Sequence, residues 1–278
     1  MSPGRFSPVT RLVGLVFASP DPAAQVRFYR TVMGLTALGP DRVAAGPAPC
    51  FLEFRPGPEP ALLCTVYEVE DLQEACRRLE AAGIPYEERP EGLALEDVEG
   101  RRVVLQPPQE VPDPAPLAYP GPYLQHVTYT TRDPVAVADW YERALGFRVS
   151  DWQARNFVWL RCGPPHHVMA AVRGPEAGLD HYAFEVAGWE DMKRWADHLA
   201  TRGIPLIWGP GRHGPGNNLF LFFHDADRNR VELSAELERF YDGRAHSPPR
   251  EWPDARWAAN QWGPQPDWRK LDEGAGKG

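Results

Sequence analysis

Three side chains able to bind a metal ion stand in strand-like segments of the second half of this 278-residue sequence. They are His126 in "LQHVTY", His181 in "LDHYAF" and Glu232 in "NRVELSA". Val231 and Leu233 indicate that the strand of Glu232 is packed, and a buried unpaired carboxylate would cost several kcal/mol. A divalent cation would remove that cost. Two neutral imidazoles and one carboxylate, with coordination positions left open, are typical of non-haem Fe(II) oxygenases.

The elements that must position these residues repeat along the chain. Segments 12–35 and 124–147 each begin with an alternating strand pattern, continue through Asp-Pro as N-cap and first helical residue, and end at a glycine, Gly34 or Gly146. Segments 62–85 and 179–205 share "EV" before a helical pattern and "GIP" after it. The pattern predicts an α+β fold of four βαβββ modules, two in each half.

The repeat also shows where the two halves differ. It pairs each candidate ligand with a different residue of the first half: His126 with Gly14, His181 with Cys64, and Glu232 with Val104. All eight histidines lie in the second half. A lone histidine is usually a satisfied core residue, but three such replacements at equivalent positions favour a metal site.

Strand alternation predicts which face carries the ligands. His126 shares a face with Thr128 and Thr130, and His181 shares one with Ala183 and Glu185. These faces are more polar and less bulky than the opposite faces, so we expect them to line a cavity. The matching faces of the first half carry apolar residues, which predicts that this half is closed: Leu12, Val16, Leu62 and Val66.

Composition shifts predict the domain boundaries. We expect an N-terminal metal-free domain at 1–106, a proline-rich linker at 107–122, a metal-binding catalytic domain at 123–236 and a tail rich in Trp and Pro at 237–278. The tail is expected to wrap a domain or a neighbouring subunit, because aromatic clusters usually serve packing.

Overall composition narrows the function classes. The net charge of −8, with scattered arginines, predicts no nucleic-acid partner. The sequence has neither a signal-like start nor an apolar run of about 20 residues, which predicts no membrane partner and a cytoplasmic protein. Four cysteines without a C-x-x-C pair are expected to be buried thiols in a reducing compartment.

Taken together, these residues resemble the vicinal oxygen chelate superfamily and, within it, the two-domain type I extradiol ring-cleavage dioxygenases. The resemblance covers about residues 10 to 240. It implies that paired βαβββ modules form two open barrels, as in glyoxalases and extradiol dioxygenases, and that the second barrel holds Fe(II), or occasionally Mn(II), through His126, His181 and Glu232. It further implies a homo-oligomer that uses O2 to cleave the ring of a small aromatic diol, a catechol, next to its two hydroxyls in aromatic hydrocarbon catabolism.

The same resemblance implies roles for further residues. His167 in "PPHHVMAAV" matches the family's acid/base histidine, and His213 in "GPGRHG" would face the hydroxyl end of the substrate, unless it is a turn histidine. Asn217 would help His213 to orient the substrate. Phe222 stands where relatives commonly have a tyrosine, and Phe222 and Phe220 are candidates for the pocket wall or for plain packing.

The remaining histidines, His198, His224 and His246, are expected to be structural or solvated. Two alternatives to a dioxygenase stay open. One is a glyoxalase-like, metal-dependent isomerase or lyase of the same fold, which usually needs four or more protein ligands. The other is a non-catalytic protein that binds a small molecule, which would have no use for three metal ligands and two cavity histidines.

Overall fold

The computed structural model describes residues 7–46, 50–109, 122–241 and 247–263. Its strands form two sheets, one of seven strands and one of nine. This arrangement confirms the predicted α+β class. None of the helices in these ranges is long and apolar enough to cross a membrane.

The first sheet contains β1 (Val9–Ser19), β2 (Arg42–Ala44), β3 (Phe51–Pro56), β4 (Ala61–Val69), β5 (Glu87–Arg89), β6 (Gly92–Glu96) and β7 (Arg102–Gln106). The second contains β8 (Tyr123–Thr131), β9 (Arg148–Gln153), β10 (Phe157–Arg161), β11 (Met169–Arg173), β12 (Gly178–Glu185), β13 (Trp208–Arg212), β14 (Leu219–His224), β15 (Arg230–Ala235) and β16 (Arg250–Trp252). The helices are α1 (Pro22–Thr31), α2 (Leu72–Ala81), α3 (Pro134–Leu145), α4 (Trp189–Thr201) and α5 (Arg256–Ala259).

Three of the four predicted βαβββ modules are complete, and they begin at β4, β8 and β12. The module that begins at β1 has β2 and β3 after its helix in the described residues. An isolated bridge between Ala37 and Val43 lies near the place where β9 stands in the second half.

Asp-Pro starts α1 and α3 as the sequence predicts. The side chain of Asp21 accepts a hydrogen bond from the amide of Ala24, and that of Asp133 accepts from Val135 and Ala136. Gly146 caps α3 in the left-handed conformation, at φ 69°. Gly34 does not cap α1, because the helix already ends at Thr31 and the glycine takes its positive φ in the turn that follows.

The pairing register is the same in the two sheets. In each, a central antiparallel pair is followed by a parallel neighbour, and the aligned partners are Gly14, Val66 and Val104 in one sheet and His126, Ala183 and Glu232 in the other. Since Val66 corresponds to Ala183, Cys64 corresponds to His181 two residues earlier. The three equivalences predicted from the sequence are therefore those of the structure.

Two β-bulges accompany this register. On β8 the pairing skips Gln125, and on β12 it skips Asp180, the residues directly before the two histidines. The first sheet has bulges at the corresponding residues, Val13 and Leu63. A bulge places an extra residue in one strand and can turn its side chain out of the normal alternation. The backbone geometry is therefore common to both sheets, whereas only the second sheet has polar residues at these two bulges.

Buried apolar side chains form one cluster that extends through both sheets. Where the sheets meet, the hydroxyl of Tyr29 contacts that of Tyr182, and Tyr182 donates to Asp225 over 2.8 Å. All four cysteines are free, and three are buried as predicted, whereas Cys76 is half-buried. Most of the predicted linker, residues 110–121, lies outside the described residues, and the domain division stays a prediction.

The described part of the predicted tail packs on the second sheet. Strand β16 pairs with β9 in parallel, and α5 follows it. The amide of Gly214 donates to the carbonyl oxygen of Ala258, and that of Gln261 donates to the carbonyl oxygen of Arg212. Residues 247–263 thus cover one end of the second sheet, and Trp268 lies outside the described residues.

Candidate metal centre

Three buried side chains converge at the middle of the second sheet. The Nε2 atoms of His126 and His181 each lie 3.2 Å from the same oxygen, Oε2 of Glu232. The three strands that carry them, β8, β12 and β15, are direct neighbours in the sheet. Of the residues described, these three form a group whose ligand atoms all lie within 4.8 Å of one another. The structure thus brings together the three ligands predicted from the sequence.

The bulge residues orient both imidazoles. The Nδ1 of His126 donates to the side-chain oxygen of Gln125 over 2.9 Å, while the amide nitrogen of Gln125 donates to Glu185. The Nδ1 of His181 donates to Asp180 over 2.6 Å, and Arg230 holds the other oxygen of Asp180. With Nδ1 protonated in each neutral ring, Nε2 presents its lone pair to the centre.

Glu232 is held by hydrogen bonds on the side away from the histidines. The amide of Asn218 donates to its Oε1 over 3.0 Å and also to the hydroxyl of Ser234. Burial favours the neutral acid, but the bonds with His126 and His181 lower the pKa of Glu232 far below its usual range. The carboxylate is therefore ionised, as a metal ligand must be.

The two histidine ligands differ in the direction of their pKa shifts. Burial opposes protonation of His181, but Asp180 and Glu232 raise its pKa to about 9. Burial lowers the pKa of His126, so that ring is neutral.

The donor set fits a divalent ion. Two imidazole nitrogens and a carboxylate oxygen suit Fe(II) and Mn(II). Ligand atoms about 2.1 Å from an ion on adjacent octahedral corners would lie about 3 Å apart, close to the 3.2 Å separations found here.

A cavity of about 600 Å³ opens above the three residues. Its walls contain four large aromatic side chains, namely Phe157, Trp159, Trp208 and Phe222. The C-terminal segment closes part of it through Asp254, Ala258 and Ala259. The predicted polar face of β8 lines this cavity through Thr128 and Thr130, whereas Ala183 and Glu185, which were expected to share a face with His181, are not among the lining residues.

His167 borders the cavity and is almost fully buried. Its ring centroid lies 4.3 Å from that of His126, and its Nδ1 lies 2.9 Å from the Nδ1 of His166. Burial, together with the neighbouring histidines, lowers the pKa of His167 well below its ordinary value. It is therefore a neutral base. His167 lies in the loop after β10 and precedes β11 by two residues.

His213 also faces the cavity, and the C-terminal segment holds it. Its Nδ1 donates to the carbonyl oxygen of Ala259 over 2.5 Å, which leaves Nε2 bare and 3.7 Å from Glu232. Burial lowers the pKa of His213, so the ring is neutral. The ring stacks on Phe220 at 3.9 Å.

The structure corrects two predicted substrate contacts. Asn217 is exposed and does not line the cavity, because the turn places it at φ 52° and it is the next residue, Asn218, that turns inward. Phe220 is buried behind His213 and supports that ring without lining the cavity. Phe222 does line it, with its ring 5.1 Å from that of His181.

The first sheet has no room for a matching centre. At Gly14, which corresponds to His126, a side chain would collide with the ring of Phe51. The guanidinium of Arg42 stacks over the ring of Phe51, 3.6 Å from its centre.

Several residues that hold the ligands or the cavity histidines were not predicted from the sequence. Strict alternation predicts that Gln125 and Asp180 face away from their neighbouring histidines, and only the bulges place them beside the rings. Asn218, Asp151 and His166 lie in other parts of the chain. A polar residue directly before each of the two histidine ligands was the one visible signal.

His198 and His224 lie away from the cavity. His198 bonds to the carbonyl oxygen of Val32 through Nε2, which is a structural role. His224 ends β14 instead of lying in the following turn. His246 lies outside the described residues.

Residues 123–233 match the Glyoxalase/Bleomycin resistance protein/Dioxygenase superfamily. The matched region contains His126, His181 and Glu232 and is thus similar to that superfamily, as the motifs of the sequence predicted.

Two curated relatives match part of the chain. Metapyrocatechase 2 of Cupriavidus necator is 33% identical over 147 residues, which are 51% of this chain and 44% of the relative. The manganese-dependent 2,3-dihydroxybiphenyl 1,2-dioxygenase of Geobacillus genomosp. 3 is 31% identical over 120 residues, 40% of this chain and 38% of the relative. The chain thus matches less than half the length of either relative.

Among solved structures, the Mn(II)-bound glyoxalase from Novosphingobium aromaticivorans superposes with a TM-score of 0.80 at 25% identity. The superposition covers 92% of this chain and 91% of that structure.

Proposed function

We propose that this protein is an extradiol dioxygenase of the two-domain type I group, which uses a divalent ion and O2 to open the ring of a catechol beside its diol. The observation that carries the proposal is the convergence of His126 and His181 on one oxygen of Glu232, at the base of an aromatic-walled cavity. Of the curated relatives described above, one is named as a 2,3-dihydroxybiphenyl 1,2-dioxygenase. The ion would be Fe(II) or Mn(II), held by these three side chains.

In this reaction both atoms of O2 enter the product and the ring bond next to the diol breaks, so no external reductant is needed. A bound divalent ion would lower the pKa of the diol hydroxyls and bring the diol and O2 together. The chain's own residues then supply the proton transfers and the positioning.

His167 is the proposed base. It is neutral, buried and beside His126, so it can accept a proton from a substrate hydroxyl and return it as the ring opens. His213 presents its bare Nε2 from the opposite direction, fixed by the Ala259 carbonyl oxygen, and would orient the hydroxyl end of the substrate.

The walls of the cavity favour an apolar catechol. Phe222 offers no hydroxyl to a substrate oxygen, and Phe157 and Trp159 stack at 4.0 Å along one side. We therefore propose a catechol that carries an apolar substituent, for which these rings provide contact area and exclude water.

The first half, residues 1–106, is proposed as a supporting domain without a metal, joined through 107–122 to the catalytic domain at 123–236. Phe51, which fills the space beside Gly14, supports this division of roles.

The test is expression with ample iron, anaerobic purification, metal analysis, and a panel of catechols followed by oxygen uptake and the yellow absorbance of a ring-fission product. We expect one iron per chain and one O2 consumed per product. An iron-loaded protein that consumes no O2 with any catechol would contradict the proposal. Turnover of a glyoxal hemithioacetal instead would favour the glyoxalase-like alternative, which the similarity to the solved glyoxalase makes worth including.

A further inference from the structure

We propose that His166 and Asp151 are positioning residues that hold His167 in the tautomer with its proton on Nδ1, which leaves the Nε2 lone pair free in the cavity. The inference rests on the proposed function only in assigning that lone pair the work of a base. It follows from a chain of contacts that leads from the cavity to the C-terminal segment.

The chain begins at an anchored carboxylate. Asp151 is fully buried on β9, and Arg250 donates to both of its oxygens, over 2.7 and 3.0 Å. The indole nitrogen of Trp252 donates to Oδ2 over 2.8 Å. Burial raises the pKa of Asp151, but His166 and Arg250 outweigh it and lower the pKa below the ordinary value. Asp151 is therefore a fixed negative charge.

The next member is His166, whose Nε2 lies 3.1 Å from Oδ2 of Asp151. The N–H direction departs from the ideal line to that oxygen, so this contact is not a well-formed hydrogen bond. We place the proton of His166 on Nε2, because its lone pair would otherwise face a buried carboxylate that, unlike Glu232, is not part of the metal centre. Burial lowers the pKa of His166, so the ring is neutral and its Nδ1 is an acceptor.

The tautomer of His167 then follows. The two Nδ1 atoms of His166 and His167 lie 2.9 Å apart, and one of them must donate. Since the Nδ1 of His166 is the acceptor, the Nδ1 of His167 carries the proton and its Nε2 is bare. A histidine in the opposite tautomer could not accept a proton from a substrate hydroxyl at Nε2.

The backbone around His166 is fixed as well. Its amide donates to the carbonyl oxygen of Glu238, and its carbonyl oxygen accepts from the hydroxyl of Ser150. Arg250 also donates to the side chain of Glu238, so it connects the carboxylate of Asp151 with a residue that holds the loop. Fixed partners of this kind maintain ring orientation, as outer partners do for metal-bound histidines.

The experiment measures the tautomer directly and needs no turnover. The full chain is labelled with ¹⁵N-histidine, and long-range ¹H–¹⁵N correlation spectra are recorded with and without Zn²⁺, a diamagnetic substitute. The signals of His167 are identified by their loss in His167→Gln. The variants are His166→Phe, which keeps a ring against Phe240, and Asp151→Asn, with His198→Phe as control for the loss of a structural histidine remote from the cavity.

In the wild type we expect His167 to be protonated on Nδ1. His166→Phe should move the proton to Nε2, Asp151→Asn should raise the fraction with that opposite tautomer, and His198→Phe should leave the tautomer unchanged. If His166→Phe does not fold, the tautomer of His167 in the spectra of Asp151→Asn tests the inference. A proton on Nε2 of His167 in the wild type, or no change in either variant, overturns the inference.

Kinetics give a second readout. If the dioxygenase is active, kcat should fall about 10- to 100-fold in His166→Phe with KM nearly unchanged, the loss typical of an outer partner. A wild-type chain without oxygen uptake would overturn the proposed function, while the spectra would still decide the tautomer. A kcat equal to the wild type in a variant whose tautomer has changed would show that His167 does not act as the base.

Discussion

The side-chain amide of Asn218 donates a hydrogen bond of 3.0 Å to Oε1 of Glu232 and so fixes the carboxylate that faces both histidines. Asn217, the adjacent residue, is exposed and points elsewhere. Asn217 is therefore a suitable control position for a substitution of Asn218.

We expect Asn218→Ala to weaken divalent metal binding by about 10- to 100-fold, because Glu232 loses the partner that orients it. Asn217→Ala should leave the affinity unchanged. Titration of the metal-free protein with Fe(II) or Mn(II), followed calorimetrically, measures both. Equal affinities in the two variants would contradict this assignment.

Metal removal should lower stability. A ligand that binds only the folded state at 100 times its dissociation constant adds about 2.7 kcal/mol. We therefore expect the melting temperature to rise on addition of Fe(II) or Mn(II) in the wild type and in Glu236→Gln, an exposed control. Glu232→Gln should abolish the rise, and an undiminished rise there would place the ion elsewhere.

The first sheet should not tolerate a side chain at Gly14. Gly14→Ala pushes a methyl group into the ring of Phe51, and overpacking of this kind costs about 1–3 kcal/mol. Gly163→Ala is the control, because its new methyl group would meet nothing within 4 Å. Urea unfolding of the two variants should differ by that amount, and equal midpoints would show that Phe51 moves freely.

Phe222→Tyr tests the substrate contact. A restored hydroxyl that bonds a charged substrate oxygen is worth about 1.5–3 kcal/mol, which corresponds to about tenfold or more in rate. We expect kcat/KM for small unsubstituted catechols to rise in this variant. Phe157→Tyr, on another wall of the cavity, should not produce the rise. No gain in Phe222→Tyr would mean that position 222 does not face the diol.

The low pKa of Asp151 predicts an acid-sensitive contribution to stability. A carboxyl whose folded pKa is lower than its unfolded value stabilises the fold above the unfolded pKa, and this contribution is lost as the pH falls through the folded pKa. Asp151→Asn should therefore be less stable than the wild type at neutral pH. As the pH falls below 3.8, the ordinary pKa of an aspartate, the variant should lose less additional stability than the wild type does. Melting curves across pH would show this, with Asp139→Asn as the control for removal of an exposed carboxyl group.

The sequence by itself determined the repeat, the helix starts and the three converging ligands. Asp21 and Asp133 cap their helices through bonds to residues two or three positions ahead, and such local rules can be read from the order of residues. The ligands were visible because the two halves share one pattern, so His126, His181 and Glu232 stood out against their counterparts.

Only the tertiary structure decided which neighbours serve those ligands. Gln125 and Asp180 reach the histidines because each sits at a bulge, and a bulge depends on the partner strand. From the sequence, Asn217 and Asn218 are equally plausible as the asparagine that faces the cavity. The left-handed conformation of Asn217 turns Asn218 inward. Ala259 accepts the hydrogen bond of His213 through its backbone carbonyl oxygen, and the identity of a side chain does not predict such a contact. Contacts between distant segments depend on how the chain packs in three dimensions, and a one-dimensional pattern does not contain that information.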